Sequence, residues 1–169
     1  MRAQSYDAII VGAGSVGTPA ACFMAEAGLK VLVVDQFASP GQGSNKAAIG
    51  GIRATHSAPG KIRLCLDSIR IFSTWQATHG DDIEWFQGGY SFVAYREAEE
   101  KALKALLEVQ KRHGLDIDWH GPLAIRDLVP GINPEGLRGG TYSPGDGSAS
   151  PMLSAFAFHR RAVEKGALF

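Results

Sequence analysis

The N-terminal part of the chain alternates short apolar runs with a helical pattern. Residues 8–11 (AIIV) and 31–34 (VLVV) are runs of the kind found in strands buried within a parallel sheet. Between them, small and apolar residues recur at helical spacing until Gly28, a residue type that commonly ends helices. The pattern therefore predicts a β-strand, an α-helix and a second β-strand parallel to the first.

The rest of the chain carries further helical and strand patterns. Apolar spacing predicts α-helices over 61–79, 97–113 and 152–165, and a glycine follows each of them. A strand is expected within 83–95, and a shorter one over 115–119. Helices and strands are thus mixed along the whole chain.

The remaining stretches predict loops, turns and one more strand. Residues 36–59 are rich in Gly, Ser and Ala, and loops are expected between 120 and 134. The run TYSPGDGSASP (141–151) is a cluster of turn-forming residues. The last three residues, 167–169 (ALF), have the composition of the first residues of another strand.

The glycines between the first predicted strand and helix form a nucleotide-binding fingerprint. Gly12, Gly14 and Gly17 have the spacing G-x-G-x-x-G, and Asp35 ends the second strand. In this motif the first glycine makes the tight turn, the second admits a pyrophosphate and the third lets the helix pack closely. Backbone N–H groups at the helix N-terminus bind the anion. Asp35 would accept hydrogen bonds from a ribose and would repel a 2′-phosphate, so the sequence predicts a dinucleotide other than NADP.

Composition excludes several classes of function. The 169 residues hold 17 Lys and Arg against 17 Asp and Glu, with no basic run, so nucleic-acid binding has no electrostatic support. Cys22 and Cys65 lie far apart and have no Cys or His at metal-ligand spacing. We therefore expect no metal site and a reducing, cytoplasmic location. The apolar N-terminal region is interrupted by glycines and charges, so no transmembrane segment is predicted.

The long connection over 36–59 is a candidate ligand-binding segment. Long loops in compact domains are usually functional or disordered, and this one contains glycines that allow a ligand to approach the backbone. Its polar residues include Ser44, Asn45, Lys46 and Arg53. A flexible surface loop without function is the alternative.

Four stretches together carry a family resemblance. They are residues 7–35, GSNKAAIGGIR (43–53), WFQGGYSFVA (85–94) and the run from Leu128 to the last residue, which contains SPGDGSASP. In these stretches the chain resembles the flavoprotein family of D-amino-acid oxidase, in the branch of sarcosine oxidase, glycine oxidase and dye-linked proline dehydrogenase. The resemblance covers essentially the whole chain and corresponds to the N-terminal part of the family's length.

The resemblance implies FAD as the cofactor. The pyrophosphate would lie against the glycine turn, the adenosine ribose against Asp35, and the flavin against the loop over 43–53. The implied cofactor-binding residues are Gly12, Gly14, Ser15, Gly17, Asp35, Gln36, Ser44, Asn45, Lys46, Gly50, Gly51 and Arg53.

The resemblance also implies oxidation of an amine or amino acid. A hydride passes from the carbon next to nitrogen to the flavin, and water hydrolyses the resulting imine. A substrate carboxylate needs a cation, so Arg53 and, three residues later, His56 are the candidate catalytic residues that face the substrate. A surface ion pair for Arg53 and an ordinary loop position for His56 are the alternatives.

Two other functions stay open at this point. One is a module that binds a nucleotide or assembles into a complex without catalysis. The other is an NAD-binding dehydrogenase domain, which does not need the SPGDG turn or the glycine-rich loop. Flavin content and its reduction by amino acids would separate all three.

The expected fold class is α/β. We predict the N-terminal part of a Rossmann-like FAD-binding fold with the beginning of an α+β substrate domain. Residues 1–59 would form the FAD-binding βαβ unit and flavin loop, 60–145 part of the substrate domain, and 146–169 the return to the FAD domain. One βαβ unit cannot cover both faces of a parallel sheet. We therefore expect the fold to be completed by a second polypeptide or by further sequence.

Overall fold

The structure is a computed structural model, and it describes residues 5–169. In chain order the elements are β1 Ala8–Val11, α1 Gly17–Glu26, β2 Val31–Val34, a 3-10 helix Ser44–Ala47, β3 Gly51–Ile52, α2 Pro59–His79, β4 Tyr90–Ala94, α3 Glu97–Arg112, β5 Asp118–His120, α4 Pro122–Leu128, β6 Gly139–Ser143, β7 Gly147–Ser148 and α5 Pro151–Glu164. The chain divides into two compact units. The first consists of the described residues up to Gly50 with 79–84 and 149–169, and the second of 51–78 and 85–148.

The first unit is built on the predicted βαβ arrangement. Strands β1 and β2 pair in parallel, with Ala8 opposite Val31. Leu168 joins β2 as a further parallel partner, because it accepts a hydrogen bond from the N–H of Val33 at 2.7 Å and donates one to Val31 at 2.9 Å. Helix α1 packs against both strands and against α5. The predicted strand–helix–strand order and the strand start at the end of the chain are confirmed.

The two faces of this sheet differ in burial. Val31 and Val33 are buried on one face. On the other face Ile9 is 63% exposed and Val11, opposite Val34 in the ladder, is 86% exposed. Parallel sheets are normally covered on both faces. The described residues of this unit therefore leave one apolar face of the sheet open.

The second unit contains an antiparallel sheet in the order β4-β6-β5. Helices α3 and α4 pack against it, and the short strands β3 and β7 form a separate antiparallel pair. Its core includes a cluster of buried residues that come from the segment before α2, from α2 itself and from the segment after α3. They are Ala54, Ile62, Leu115 and Ile117.

Strand β6 lies partly inside the stretch that the sequence predicts as turns. Its glycines are required by close packing, since a Cβ at Gly140 would lie 2.6 Å from the carbonyl oxygen of Phe92. A Cβ at Gly139 would lie 2.3 Å from the carbonyl oxygen of His120. The prediction of turns over the first residues of 141–151 was therefore wrong: the glycines allow a central strand to fit between its two neighbours.

Smaller differences concern α4 and β5. The loop prediction between 120 and 134 missed α4, a two-turn helix that begins at Pro122. The short strand was expected over 115–119, but β5 covers Asp118–His120 because Leu115 and Ile117 enter the core instead. Helix α2 begins two residues before its predicted start, and α3 and α5 each end one residue early. In residues 5–169 no helix has the length and apolar character to cross a bilayer.

Candidate functional site

A cleft of about 660 Å³ lies at the carboxyl ends of β1 and β2, where ligands of open α/β sheets bind. It brings together eight of the residues predicted to bind the cofactor: Gly12, Gly14, Ser15, Gly17, Asp35, Gln36, Ser44 and Asn45. The other predicted residues, Lys46, Gly50, Gly51, Arg53 and His56, do not line it. The lining also includes Gly41 and Gly43, two of the loop glycines expected to let a ligand approach the backbone, and Val11, Val16 and Phe37, which the sequence did not single out.

Each glycine of the fingerprint has its own structural reason. Gly12 has a φ of +104°, a backbone conformation that side chains other than glycine rarely adopt. A Cβ at Gly17 would lie 1.8 Å from the carbonyl oxygen of Gly12, so this position needs glycine for the helix to pack against the turn. A Cβ at Gly14 would meet nothing within 4 Å. The protein itself therefore does not require glycine at 14, and a closely bound ligand would.

The N-terminus of α1 follows directly on this turn, and the N–H of Ala20 in its first helical turn donates to the carbonyl of Val16 at 3.1 Å. Its N-cap residue, Val16, makes no side-chain capping bond, and the first turn contains no acidic residue. The N–H and the hydroxyl of Thr18 both donate to the carbonyl of Gly14, at 3.1 and 2.9 Å. The positive end of the helix dipole is thus left without a negative side chain, which suits a bound anion.

Asp35 is tied to the glycine turn by its side chain. Its Oδ2 accepts a hydrogen bond of 2.6 Å from the N–H of Ala13, and its Oδ1 accepts one of 2.8 Å from the N–H of Phe37. These bonds, the one from Ala13 above all, hold the pKa of the carboxyl below its usual range. Each carboxylate oxygen can accept more than one hydrogen bond, so Asp35 keeps acceptor capacity for a ribose hydroxyl.

The loop after β2 is held against α5. Nδ2 of Asn45 donates to the carbonyl of Pro151 at 2.9 Å, which gives this side chain a structural role beside its place in the cleft. The N–H of Gly41 donates to the carbonyl of Ala13 at 2.8 Å. Lys46 is exposed on the 3-10 helix. The loop is therefore anchored at both the glycine turn and α5.

Gly50 has a packing reason to be glycine. Its φ is +79°, and a Cβ there would lie 2.2 Å from the carbonyl oxygen of Ala149. The N–H of Ala149 donates to the carbonyl of Gly50 at 3.0 Å. At Gly51, which belongs to the second unit, a Cβ would touch the ring of Tyr90 at 3.4 Å. The predicted contact of these two glycines with a flavin stays a prediction.

In the second unit, Arg53 lies over two aromatic rings. Its Cζ atom is 5.6 Å from the centre of the Tyr90 ring and 5.1 Å from that of Phe92. These rings stand on the same face of β4 with their centres 5.5 Å apart. Arg53 Nη1 donates to the carbonyl oxygen and the hydroxyl of Thr55, at 2.6 and 3.1 Å. Such stacking and hydrogen bonding hold a guanidinium in one orientation.

The guanidinium of Arg53 is half-buried, and among residues 5–169 no carboxylate forms an ion pair with it. His56 Nδ1 lies 3.5 Å from Arg53 Nη1. Burial, followed by the positive charges of Arg53 and Lys61, lowers the pKa of His56, which keeps its imidazole neutral at pH 7. The surface ion pair considered for Arg53 is therefore absent from the described chain.

Two buried residues hold the segment of Arg53 by hydrogen bonds, and neither was a candidate functional residue in the sequence. Oδ1 of Asp146 accepts a hydrogen bond of 3.0 Å from the N–H of Ala54, and Nε2 of Gln110 donates to the carbonyl of His56 at 3.2 Å. Burial raises the pKa of the Asp146 carboxyl. Asp146 lies in the SPGDG run, whose composition predicts a turn but does not show that its acidic side chain is buried.

The cleft in the first unit fits the FAD that the resemblance implies. Gly14 leaves open space where a pyrophosphate would approach, the first turn of α1 carries no competing acid, and Asp35 offers free acceptor positions. Within the described part of the chain, no group of three or more His, Cys, Asp or Glu side chains could hold a metal ion. The open space at Gly14 and the acceptors of Asp35 suit a nucleotide.

Comparison with curated proteins finds a dehydrogenase and an oxidase subunit. The chain is 25% identical over 162 residues to mitochondrial dimethylglycine dehydrogenase from Mus musculus, an alignment that covers 96% of this chain and 19% of that protein. It is 26% identical over 172 residues to sarcosine oxidase subunit beta from an Arthrobacter species, covering 96% of this chain and 42% of that protein.

Comparison with solved structures also finds an oxidoreductase, a proline dehydrogenase. L-proline dehydrogenase from P. horikoshii matches with a TM-score of 0.89 and 27% identity, over 95% of this chain and 42% of that one. The chain thus spans less than half the length of these three relatives, and the α/β fold predicted for it is confirmed. Residues 7–169 match the model of a family described as FAD dependent oxidoreductase. Because this match covers nearly all of its length, the chain belongs to the FAD-dependent oxidoreductase family.

Proposed function

We propose that the protein oxidises a small amine or amino acid that carries a carboxylate. The observation that carries this proposal is Arg53, a half-buried guanidinium stacked on Tyr90 and Phe92 without an ion-pair partner in the described chain. A planar guanidinium suits bidentate binding of a carboxylate. The substrates in the names of the relatives, dimethylglycine, sarcosine and proline, all carry a carboxylate next to the carbon that bears nitrogen.

Bound FAD supplies the oxidising chemistry, since it accepts a hydride from the carbon next to nitrogen while the nitrogen loses a proton, and the imine left behind is hydrolysed by water. In this proposal Gly14, Ser15 and Gly17 hold the pyrophosphate with backbone N–H groups. Gly12, whose own N–H donates to the carbonyl of Val34 at 2.8 Å, makes the turn beside it. Asp35 accepts from the adenosine ribose, with Gln36 and Ser44 beside it in the cleft.

Arg53 binds the carboxylate of the substrate in this proposal, and the aromatic rings beneath it prevent its rotation. His56 lies next to it as a neutral imidazole, so the substrate meets one full positive charge there rather than two. The same proposal includes two further sets of contacts, which rest on the family resemblance. Gly50, Gly51 and Arg53 face the flavin ring, and Asn45 and Lys46 contact FAD.

We also propose that further polypeptide covers the open face of the sheet. Ile9, Val11 and Val34 are large, apolar and exposed there. At about 25 cal/mol per Å² of apolar surface, covering this face contributes several kcal/mol. Co-purification and measurement of the mass of the native protein would show whether that polypeptide is a second chain or part of the same chain. The cytoplasmic location stays a proposal, based on the two free cysteines.

One experiment tests the proposed activity. The natively purified protein is examined by absorption spectroscopy without oxygen, before and after addition of glycine, N-methylglycine, N,N-dimethylglycine or L-proline. We expect a flavin spectrum that bleaches with at least one of these compounds. Flavin that no member of the panel reduces would contradict the activity and favour a nucleotide-binding module without catalysis.

A further inference from the structure

Asp146 is an acidic residue with no exposed surface, and it lies in the second unit between β6 and β7. Its Oδ1 accepts a hydrogen bond of 3.0 Å from the N–H of Ala54, a residue 92 positions away and adjacent to Arg53. A fully buried carboxylate is costly to keep, because burial removes it from water. Its hydrogen bond to the N–H of Ala54 offsets part of that cost and holds the segment that carries Arg53.

The backbone of the same residue holds the strand of aromatic rings. The carbonyl oxygen of Asp146 accepts a hydrogen bond of 2.9 Å from the N–H of Gly89. Gly89 directly precedes Tyr90, where β4 begins. One residue is therefore bonded to both chain segments that make the Arg53 arrangement: the segment that carries the cation, and the strand that carries Tyr90 and Phe92.

We propose that Asp146 is a positioning residue that holds the guanidinium of Arg53 over the rings of Tyr90 and Phe92. The proposal rests on the proposed role of Arg53 in binding a substrate carboxylate. Without the Oδ1 bond, the N–H of Ala54 loses its acceptor, and the chain between β3 and α2 loses its link to the turn before β7. Arg53 then samples orientations away from the rings.

Substitutions of Asp146 can separate the effect of its hydrogen bond from the effect of its negative charge. Oδ2 is buried, and the side chain of Ser143 acts on the carboxyl by hydrogen bonding. In Asp146→Asn the amide oxygen can still accept from the N–H of Ala54, while the negative charge is lost. In Asp146→Ala both are lost. If the hydrogen bond positions Arg53, asparagine preserves the arrangement and alanine does not.

Two measurements on the natively purified protein follow the position of Arg53 without a substrate. The first is the rate at which phenylglyoxal modifies Arg53, read by mass spectrometry of the peptide that contains it. The second is hydrogen–deuterium exchange of the segment 53–56, with the peptide of α1 as the reference for global destabilisation. Asp127→Asn, an exposed carboxylate on α4 in the same unit, is the matched control.

In Asp146→Ala we expect both rates to rise about tenfold, as for loss of one buried hydrogen bond, while α1 is unchanged. In Asp146→Asn and Asp127→Asn we expect both rates within about threefold of the parent. With the substrate that the amine panel identifies, KM should rise in Asp146→Ala more than kcat falls, and asparagine should restore it. If the alanine protein does not fold, Asp146→Leu, which also lacks the acceptor but fills the buried space, takes its place.

The proposal is overturned if alanine leaves both rates unchanged, if asparagine raises them as much as alanine does, or if exchange rises equally in α1. Failure of the proposed function is a separate result: Arg53→Ala would then leave KM unchanged. In that case the modification and exchange rates still show whether Asp146 positions Arg53.

Discussion

The carboxylate of Asp35 accepts a hydrogen bond of 2.6 Å from the backbone N–H of Ala13, 22 residues earlier in the chain. This bond joins the end of β2 to the glycine turn after β1, so the residue expected to bind a ribose also holds the turn expected to bind a pyrophosphate. Substitution of Asp35 should therefore affect both the stability of the turn and the affinity for the nucleotide.

The stabilisation by Asp35 depends on pH. Its pKa is lowered in the folded protein, so its contribution is present above the unfolded-state pKa of about 3.9 and is lost as the pH falls through the lower folded-state pKa. We expect Asp35→Asn to lower the free energy of unfolding at pH 7, and the difference from the parent to shrink below about pH 4. Denaturant titrations across this range measure it. A constant difference for Asp35→Asn across this range would contradict the assignment.

Gly14→Val should abolish retention of FAD. A Cβ at this position meets no protein atom within 4 Å, so the added side chain fills the space of the cleft rather than disturbing the fold. The ratio of flavin to protein absorbance after purification measures the effect, and thermal unfolding shows that the protein is folded. Gly60→Val, at an equally open position in the first turn of α2, is the matched control. Full flavin occupancy in Gly14→Val would refute the pyrophosphate site.

Arg53→Ala should raise KM for a carboxylate-bearing amine or slow flavin reduction, by roughly 10- to 100-fold, the usual cost of a charge-assisted hydrogen bond. Arg53→Lys should restore little, since an ammonium cannot form the planar two-point contact. Stopped-flow reduction of the flavin measures the rate. Arg63→Ala, an exposed arginine on α2, should behave as the parent. Equal reduction rates and KM with and without Arg53 would show that it binds no substrate.

Gly50→Ala should destabilise the protein by about 2 to 4 kcal/mol. The alanine would have to adopt a φ near +79° with its Cβ 2.2 Å from the carbonyl oxygen of Ala149, so backbone strain and overpacking add. Gly60→Ala, in the first turn of α2 with nothing within 4 Å of its Cβ, should cost less than about 1 kcal/mol. Urea unfolding of both variants provides the comparison. Similar stabilities would show that the loop relaxes at Gly50.

The glycine fingerprint could be located from the sequence because its determinants are local. The bounds of β1 and β2 match those predicted, and the turn between β1 and α1 needs glycines at fixed spacing for backbone reasons. Such constraints act within a few residues, so they are visible in the order of residue types. The helices over 59–79, 97–112 and 151–164 were predictable for the same reason, since apolar spacing and end residues are local signals.

Tertiary structure alone decided the identity of β6 and the surroundings of Arg53. The run PGDG (144–147) signals a turn locally, but residues 141–143 before it pair with β4, and the glycines of β6 serve close packing between two neighbouring strands. The bond between Asp146 and Ala54 joins residues 92 positions apart, and the rings of Tyr90 and Phe92 reach Arg53 from a different element. The spacing of residue types was enough to predict where the glycine turn forms. Only the folded chain decided which buried carboxylate and which rings surround the cation, because burial and partners across long sequence separations do not exist until distant segments pack.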